Sequence, residues 1–276
     1  MIPTDKPGSK RSVSQTWRPR RQPVRRNVGN GRRCESGDHN QERKISNHEV
    51  ARKFDAAADV FDQTSNVYTL RRRAETLAAY VRGVSLELGG GTGAVSAALP
   101  DRSRAIHSDI SPQMCRTARS KLDRPSICLD AECIPLRDET VDTVIASEVI
   151  YYLDRPDRLP TEAFRVLRPG GRLVLCATNP AWQWADRARA ILRRIGFQRM
   201  LFDDGAPDFL PSEKIGNLVQ AAGFAEQFRH RIILAPFARF DRLNRMLESG
   251  PLSRLGLFSI MVAEKPARPV RDLPAA

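Results

Sequence analysis

The chain has no apolar run approaching the ~18 to 20 residues that a membrane-spanning helix needs. Its basic N-terminus is not followed by the apolar stretch of a secretory signal, so a soluble, cytoplasmic protein is expected. Cysteine is sparse: Cys34, Cys115, Cys128, Cys133 and Cys176 include no CxxC pair, and His39, His48, His107 and His230 stand apart from them and from one another. That spacing argues against a zinc site and against a disulfide framework, and no metal is expected. No internal repeat is visible, which sets aside solenoids and propellers.

What remains is ordinary globular material. The 276 residues are 41% hydrophobic and 28% charged, enough to bury a sizeable α/β core. A net charge of +13 would suggest a nucleic-acid partner if it were spread evenly. It is not: residues 1–45 carry twelve Lys or Arg against four Asp or Glu, a local +8 that leaves only +5 for the rest. This first segment is rich in Pro, Gly, Ser and Arg without helical or strand periodicity, so it reads as a disordered basic tail. A solvated tail is favoured over an arm for nucleic acid or anionic membrane. One domain is expected over 46–268, with a flexible C-terminus at 269–276.

Order should begin at Ser46, where SNHE has the spacing of a capping box. A helix over 49–62 would place Val50, Phe54, Ala57, Ala58 and Phe61 on one stripe, and a second at about 68–82 would carry Leu70, Ala74, Leu77, Ala78 and Val81. Short apolar runs then recur at 84–88, 104–108, 126–129, 142–147 and 172–178, separated by helix-length segments or loops. That alternation predicts parallel strands joined by crossovers. After an insertion at 179–211, a helix over 212–222 ends at Gly223, and runs at 228–235 and 257–264 suit an antiparallel pair. The expected fold is a doubly wound, mostly parallel, seven-stranded sheet with an antiparallel final pair, Rossmann-like.

SLELGGGTGAVS, residues 85–96, joins the first strand to the next helix. Gly89, Gly91 and Gly93 remove side chains where the strand must turn sharply, letting backbone and ligand come close. Twenty residues after Gly89, Asp109 ends the second strand, placed to accept both hydroxyls of a ribose. Together they indicate a nucleoside cofactor. GGGTGA also fits the GxGxxA form used for NAD. Against NAD, Glu87 would repel a pyrophosphate but suit the ammonium of a methionyl group. Asp130, in LDAEC at the end of the third strand, can receive an adenine N–H.

On these motifs the chain resembles the class I S-adenosylmethionine methyltransferases, particularly the ubiquinone/menaquinone type of core. ELGGGTG is similar to the family's first motif and AIHSDISPQMCRTARSK to the stretch whose acid binds ribose. DAECIPLRDETVDTVIASEVIYYL resembles the adenine-contacting loop and fourth strand, and EAFRVLRPGGRLVL the helix, turn and fifth strand. The resemblance covers about 46–265 as architecture and is sharpest over 85–179; Gly90 stands where Cys or Ser is common. It implies S-adenosylmethionine as cofactor. Glu87 would hold the methionine amino group through water, with the backbone at Gly89 and Gly91 facing the cofactor. Asp109 would bind ribose and Ile110 pack on adenine, while Asp130 and the Ala131 amide read the adenine edge. Ser147 would offer a backbone contact to the methionine part.

A methyl transfer of this kind is an in-line displacement, catalysed mainly by positioning. A base is not required of every acceptor; Glu148 and Tyr151 are candidates by position alone. Tyr151 and Tyr152 follow the fourth strand at the ligand-binding edge of the sheet, where an aromatic face would attract a sulfonium. With Trp184 they are the candidate substrate residues. Residues 181–195 form a candidate basic amphipathic helix, read first as a lid and second as a membrane-surface contact. The expected acceptor is a small molecule. SEVI after the fourth strand, in place of an NPPY-like tetrad, disfavours base N-methylation, leaving RNA or protein methylation as one alternative and a non-catalytic or NAD-binding protein as another. His107 reads as a packed core residue and His230 as a polar residue of an edge strand.

Overall fold

The computed structural model describes residues 46–99, 104–122, 124–183 and 209–267. Strands β1 (Val84–Leu88), β2 (Arg104–Asp109), β3 (Ser126–Cys128), β4 (Val141–Ser147), β5 (Leu167–Thr178), β6 (Ala225–Ile232) and β7 (Phe258–Glu264) form one sheet in the order β3-β2-β1-β4-β5-β7-β6. The first five run parallel, and β7 is antiparallel to both β5 and β6. The expected architecture is therefore observed. Within the final pair β7 lies inside β6, so β6 is the edge.

Helices cover both faces, which is why the central strands read as unbroken apolar runs. One face packs Leu86, Leu88, Val144, Leu173 and Leu175 against α6 (Arg158–Val166) and α7 (Ser212–Ala221), through Leu159, Ala163 and Val219. The other packs Ile145, Val174 and Cys176 against α3 (Val67–Ala78) and α4 (Ala94–Ala98), through Ala74, Leu77 and Val95. The two clusters take alternate residues along each strand, the period of two that a pleated strand imposes.

The N-terminal boundary is a capping box. The Ser46 N–H donates to Glu49 Oε2 at 2.9 Å while the Glu49 N–H donates to Ser46 Oγ at 3.4 Å. The expected single helix over 49–62 is instead two, α1 (Asn47–Ala57) and α2 (Phe61–Thr64). Burying Ala57 and Ala58 beside Met114 takes the chain round a turn at 58–60, and Phe61 packs against the same cluster while also facing the glycine turn. Among the described residues two further α-helices are α5 (Pro112–Lys121), capped by Ser111, and α8 (Asp241–Leu247), in a segment where no helix was expected. Cys115, Cys128 and Cys176 are free thiols. The expected tail (1–45), the C-terminus from 268 and most of the 179–211 insertion, with Trp184 and the 181–195 helix, lie outside the described residues. No helix among the described residues is long and apolar enough to cross a membrane.

Candidate functional site

The site follows from the sheet order. Parallel strands place their carboxyl ends along one edge, and ligands of open α/β folds bind outside that edge where the strand order reverses, here between β1 and β4. A cavity of about 450 Å³ lies there.

Its floor is the β1–α4 turn. Gly89, Gly91 and Gly93 have φ of +61°, +56° and +91°, a region that side chains resist. Gly89 and Gly91 line the cavity; Gly93 caps α4 and packs beneath it, where a Cβ would meet Leu122 at 2.5 Å. Gly90 is glycine for a different reason: a Cβ there would lie 2.5 Å from the His107 ring and 2.8 Å from the Glu87 carboxyl carbon. His107 is wholly buried, with Nδ1 2.9 Å from Ser126 Oγ. It occupies the room under the turn, and burial holds its pKa below the usual value.

Three acids mark successive strand ends. Glu87, on β1, is 1% exposed, accepts the Ser96 hydroxyl on Oε2 and leaves Oε1 buried without a partner. Burial pushes its pKa up to about 7, with the Ser96 bonds opposing. Asp109, on β2, accepts the Gly91 N–H at 2.8 Å and the Ser111 N–H at 2.9 Å, and burial also raises its pKa. Asp130, beyond β3, accepts the Glu132 N–H at 2.8 Å and the Asn47 side-chain amide at 3.0 Å, tying α1 across this end of the cavity. Ile110, Ala131 and Ser147 line the same space.

Past β4 the lining changes character. Glu148 has φ +62°, unusual for a residue with a Cβ and a mark of a conformation held by its surroundings. Its Oε2 accepts from the Tyr151 hydroxyl at 2.5 Å and the Thr178 hydroxyl at 2.5 Å, and burial raises its pKa. Burial likewise drives the Tyr151 phenol well above its ordinary value, with the Glu148 charge adding to it. The Tyr151 ring lies 5.0 Å from that of Tyr152 and 5.1 Å from that of Phe209. Phe54 meets Tyr152 edge-on at 5.4 Å. Arg73, from α3, stands over the Phe258 ring at 5.0 Å, with Nη1 4.0 Å from Glu148 Oε2.

The cavity thus collects all the candidate site residues read from the sequence except Gly93, just beneath it, and Trp184, outside the described residues. Asn47, Arg73, Thr178 and Phe258 were not singled out beforehand: each comes from an element remote in sequence, and only the strand order brings it here.

Comparison with known proteins agrees with this geometry. Residues 86–175, from within β1 to within β5, match the methyltransferase domain family model. Malonyl-[acyl-carrier protein] O-methyltransferase of Methylococcus capsulatus is 38% identical over 162 residues, 50% of this chain and 57% of that protein. A structure of a Thermotoga maritima SAM-dependent methyltransferase, described as a possible histamine N-methyltransferase, superposes with a TM-score of 0.59 at 19% identity, covering 78% of this chain and 99% of that one.

Residues 86–175 are matched to a methyltransferase domain, and the chain around them has the fold of S-adenosylmethionine-dependent methyltransferases. Demethylmenaquinone methyltransferase of Streptomyces avermitilis is a further relative, 32% identical over 149 residues, 49% of this chain and 63% of that protein. The chain spans between about a quarter and two thirds of the length of the curated relatives it matches. The match is to the methyltransferase core, from glycine turn to fifth strand; α1, α3 and β7 complete the cavity from outside the stretch matched by the family model.

Proposed function

We propose that this chain transfers a methyl group from S-adenosylmethionine to a small-molecule acceptor. The observation that carries the reading is the unpartnered Oε1 of Glu87, buried beside a side-chain-free turn and in line with Asp109 and Asp130. A buried carboxylate oxygen without a donor is costly, and an amino acid's ammonium is a fitting donor. The cofactor fits these residues. Glu87 would take its amino group, the Gly89–Gly91 backbone would lie along its methionine part, and the Ser147 backbone would meet the same part. Asp109 would hold the ribose hydroxyls. Ile110, with Asp130 and the Ala131 amide, would hold the adenine.

When bound, the cofactor supplies the activated methyl and its own leaving group. The chain's work is then positioning: bringing reacting atoms to about 3 to 3.5 Å in line can remove roughly 7 to 11 kcal/mol of barrier. The aromatic faces of Tyr151 and Tyr152 suit a neighbouring cation, worth about 0.5 to 2 kcal/mol. Glu148, held by two hydroxyl donors and raised in pKa, is placed to accept a proton from an acceptor that must lose one.

Two relatives are named for malonyl-[acyl-carrier protein] and for demethylmenaquinone as acceptors, and the reading extends a metabolite-type acceptor to this chain. Methylation of RNA or protein finds no additional support among the described residues. Calorimetry with S-adenosylhomocysteine and with NAD tests the proposal. Micromolar binding of the first and none of the second is expected; tight NAD binding without response to the homocysteine would replace methyl transfer by a dinucleotide-dependent function.

A further inference from the structure

Hydrophobic exposure is concentrated at one place. Eight large apolar side chains are exposed among the described residues, and five of them, Phe237, Leu243, Met246, Leu252 and Leu255, fall within residues 237–255 at 44 to 66%. This stretch holds a 3-10 turn (Ala238–Phe240), α8 and a second 3-10 turn (Pro251–Leu255), and α8 packs on both turns. It adjoins the cavity. Pro236 precedes it, Leu257 and Phe258 follow it, and all three are part of the cavity lining. Trp182, another lining residue, donates its indole N–H to the Leu255 carbonyl at 2.9 Å.

Within this stretch α8 is turned inside out. Its buried residue is polar: Asn244 accepts the Leu234 and Ala235 N–H groups at 3.0 and 2.9 Å and donates to the Ala235 carbonyl at 2.8 Å. Glu248, just past its end, is buried as well, accepting the Ile233 N–H at 2.9 Å and two bonds from Arg72 at 2.8 and 3.0 Å. These bonds tie the helix down without help from Leu243 or Met246. Those two lie three residues apart, and Arg242 lies four before Met246, so the helical period gathers them on the face opposite Asn244 and Glu248. A surface helix ordinarily turns its apolar stripe to the core. Here that stripe faces solvent, where it adds little to the fold and is available to a partner.

Basic residues are interleaved with the apolar ones. Arg242 and Leu243, Arg245 and Met246, and Arg254 and Leu255 are adjacent exposed pairs, and Arg239 stands over the Phe237 and Phe240 rings at 5.3 and 4.8 Å. The two acids of the stretch are engaged: Asp241 accepts the Tyr68 hydroxyl at 3.0 Å and the Arg245 Nε–H at 2.9 Å, and Glu248 is held by Arg72. The surface therefore offers cationic heads and hydrocarbon side by side. An anionic bilayer presents phosphates with acyl chains directly beneath them, and side chains of both kinds find their match there. A soluble polyanion would satisfy the charge and leave the apolar side chains in water. We infer that residues 237–255 dock this chain on an anionic lipid surface, with the cavity beside the bilayer. The docking does not depend on the methyl-transfer reading.

The test uses the full chain, without cofactor, and vesicles of phosphatidylcholine alone or with a quarter of phosphatidylglycerol. Flotation should show at least tenfold stronger binding to the anionic vesicles, and amide exchange in peptides from 237–255 should slow at least threefold on binding. Combining Leu243→Gln, Met246→Gln and Leu255→Gln should lower the partition at least tenfold with the urea midpoint unchanged, because all three side chains are exposed. The exchange measurement on the parent needs no variant to fold. Equal binding by the parent and the triple variant would hand the vesicle affinity to the basic segment 1–45 and overturn the inference. So would an equal slowing of exchange by soluble polyglutamate, which would assign the surface to an acidic protein. A parent that sediments as a dimer while the triple variant sediments as a monomer would assign it to a second copy of the chain, with the same consequence.

Discussion

Asp109 accepts the Gly91 N–H at 2.8 Å, so the acid at the tip of β2 also pins the glycine turn that follows β1. Asp109→Ala removes both the ribose acceptor and that pin. Hydrogen bonds to a charged group contribute about 1.5 to 3 kcal/mol, so S-adenosylhomocysteine affinity should fall at least roughly tenfold to a hundredfold. Titration calorimetry at constant salt checks it; an unchanged affinity would detach Asp109 from the cofactor.

Gly90 and His107 should be energetically coupled. Gly90→Ala puts a methyl 2.5 Å from the imidazole, and overpacking of that kind costs about 1 to 3 kcal/mol. His107→Ala empties the same space. The double variant should be more stable than the sum of the single changes by roughly 1 kcal/mol or more, measured by urea unfolding. Strict additivity would show that the turn relaxes away from the ring.

The pH dependence has a definite sign. Glu87 has its folded pKa raised to about 7 from an ordinary 4.5, so the folded chain holds a proton that the unfolded chain releases between those values. Its contribution is most favourable below pH 4.5 and is lost as pH rises toward 7, an effect on the order of 3 kcal/mol. Glu87→Gln should remove that component, seen as the difference between the two stability profiles across this window. Binding an ammonium favours the ionised acid, so the parent should release protons on binding S-adenosylhomocysteine below pH 7; calorimetry in buffers of differing ionisation enthalpy reads this directly.

Tyr151→Phe deletes one of two hydroxyl donors to the buried Glu148 oxygen. Loss of a hydrogen bond to a buried charged group should cost about 1.5 to 3 kcal/mol of unfolding free energy. Affinity for S-adenosylhomocysteine should change less than threefold, because the pair lies toward the acceptor. A large loss of that affinity with unchanged stability would reverse the assignment of this end of the cavity.

How much could be read beforehand follows from which contacts are local. Periodicity placed every strand, and the SNHE cap fixed the start of α1, because each signal spans only a few residues. Glu87, the glycines and Asp109 were legible as one βαβ unit. The bend at 58–60 was not, since the stripe through Phe61 continues unbroken in the sequence and only Met114, about fifty residues on, gives the buried alanines their partner. Arg73 was invisible for the same reason. In RRRAE it is one basic residue of three, and only the packing of α3 over β4 and β5 distinguishes it from Arg72, which is engaged by Glu248, and from Arg71, which pairs with Glu75 on the surface.

The placing of β7 between β5 and β6 bears on how the chain can be made. During synthesis β6 leaves the ribosome about thirty residues before the strand it must lie against. Until 258–264 has emerged, the open side of β5 offers unpaired backbone groups to any passing strand, and β6 has no place on the sheet. A nascent chain halted near residue 250 should therefore be a species that chaperones hold, although its glycine turn and all three acids have long since been translated.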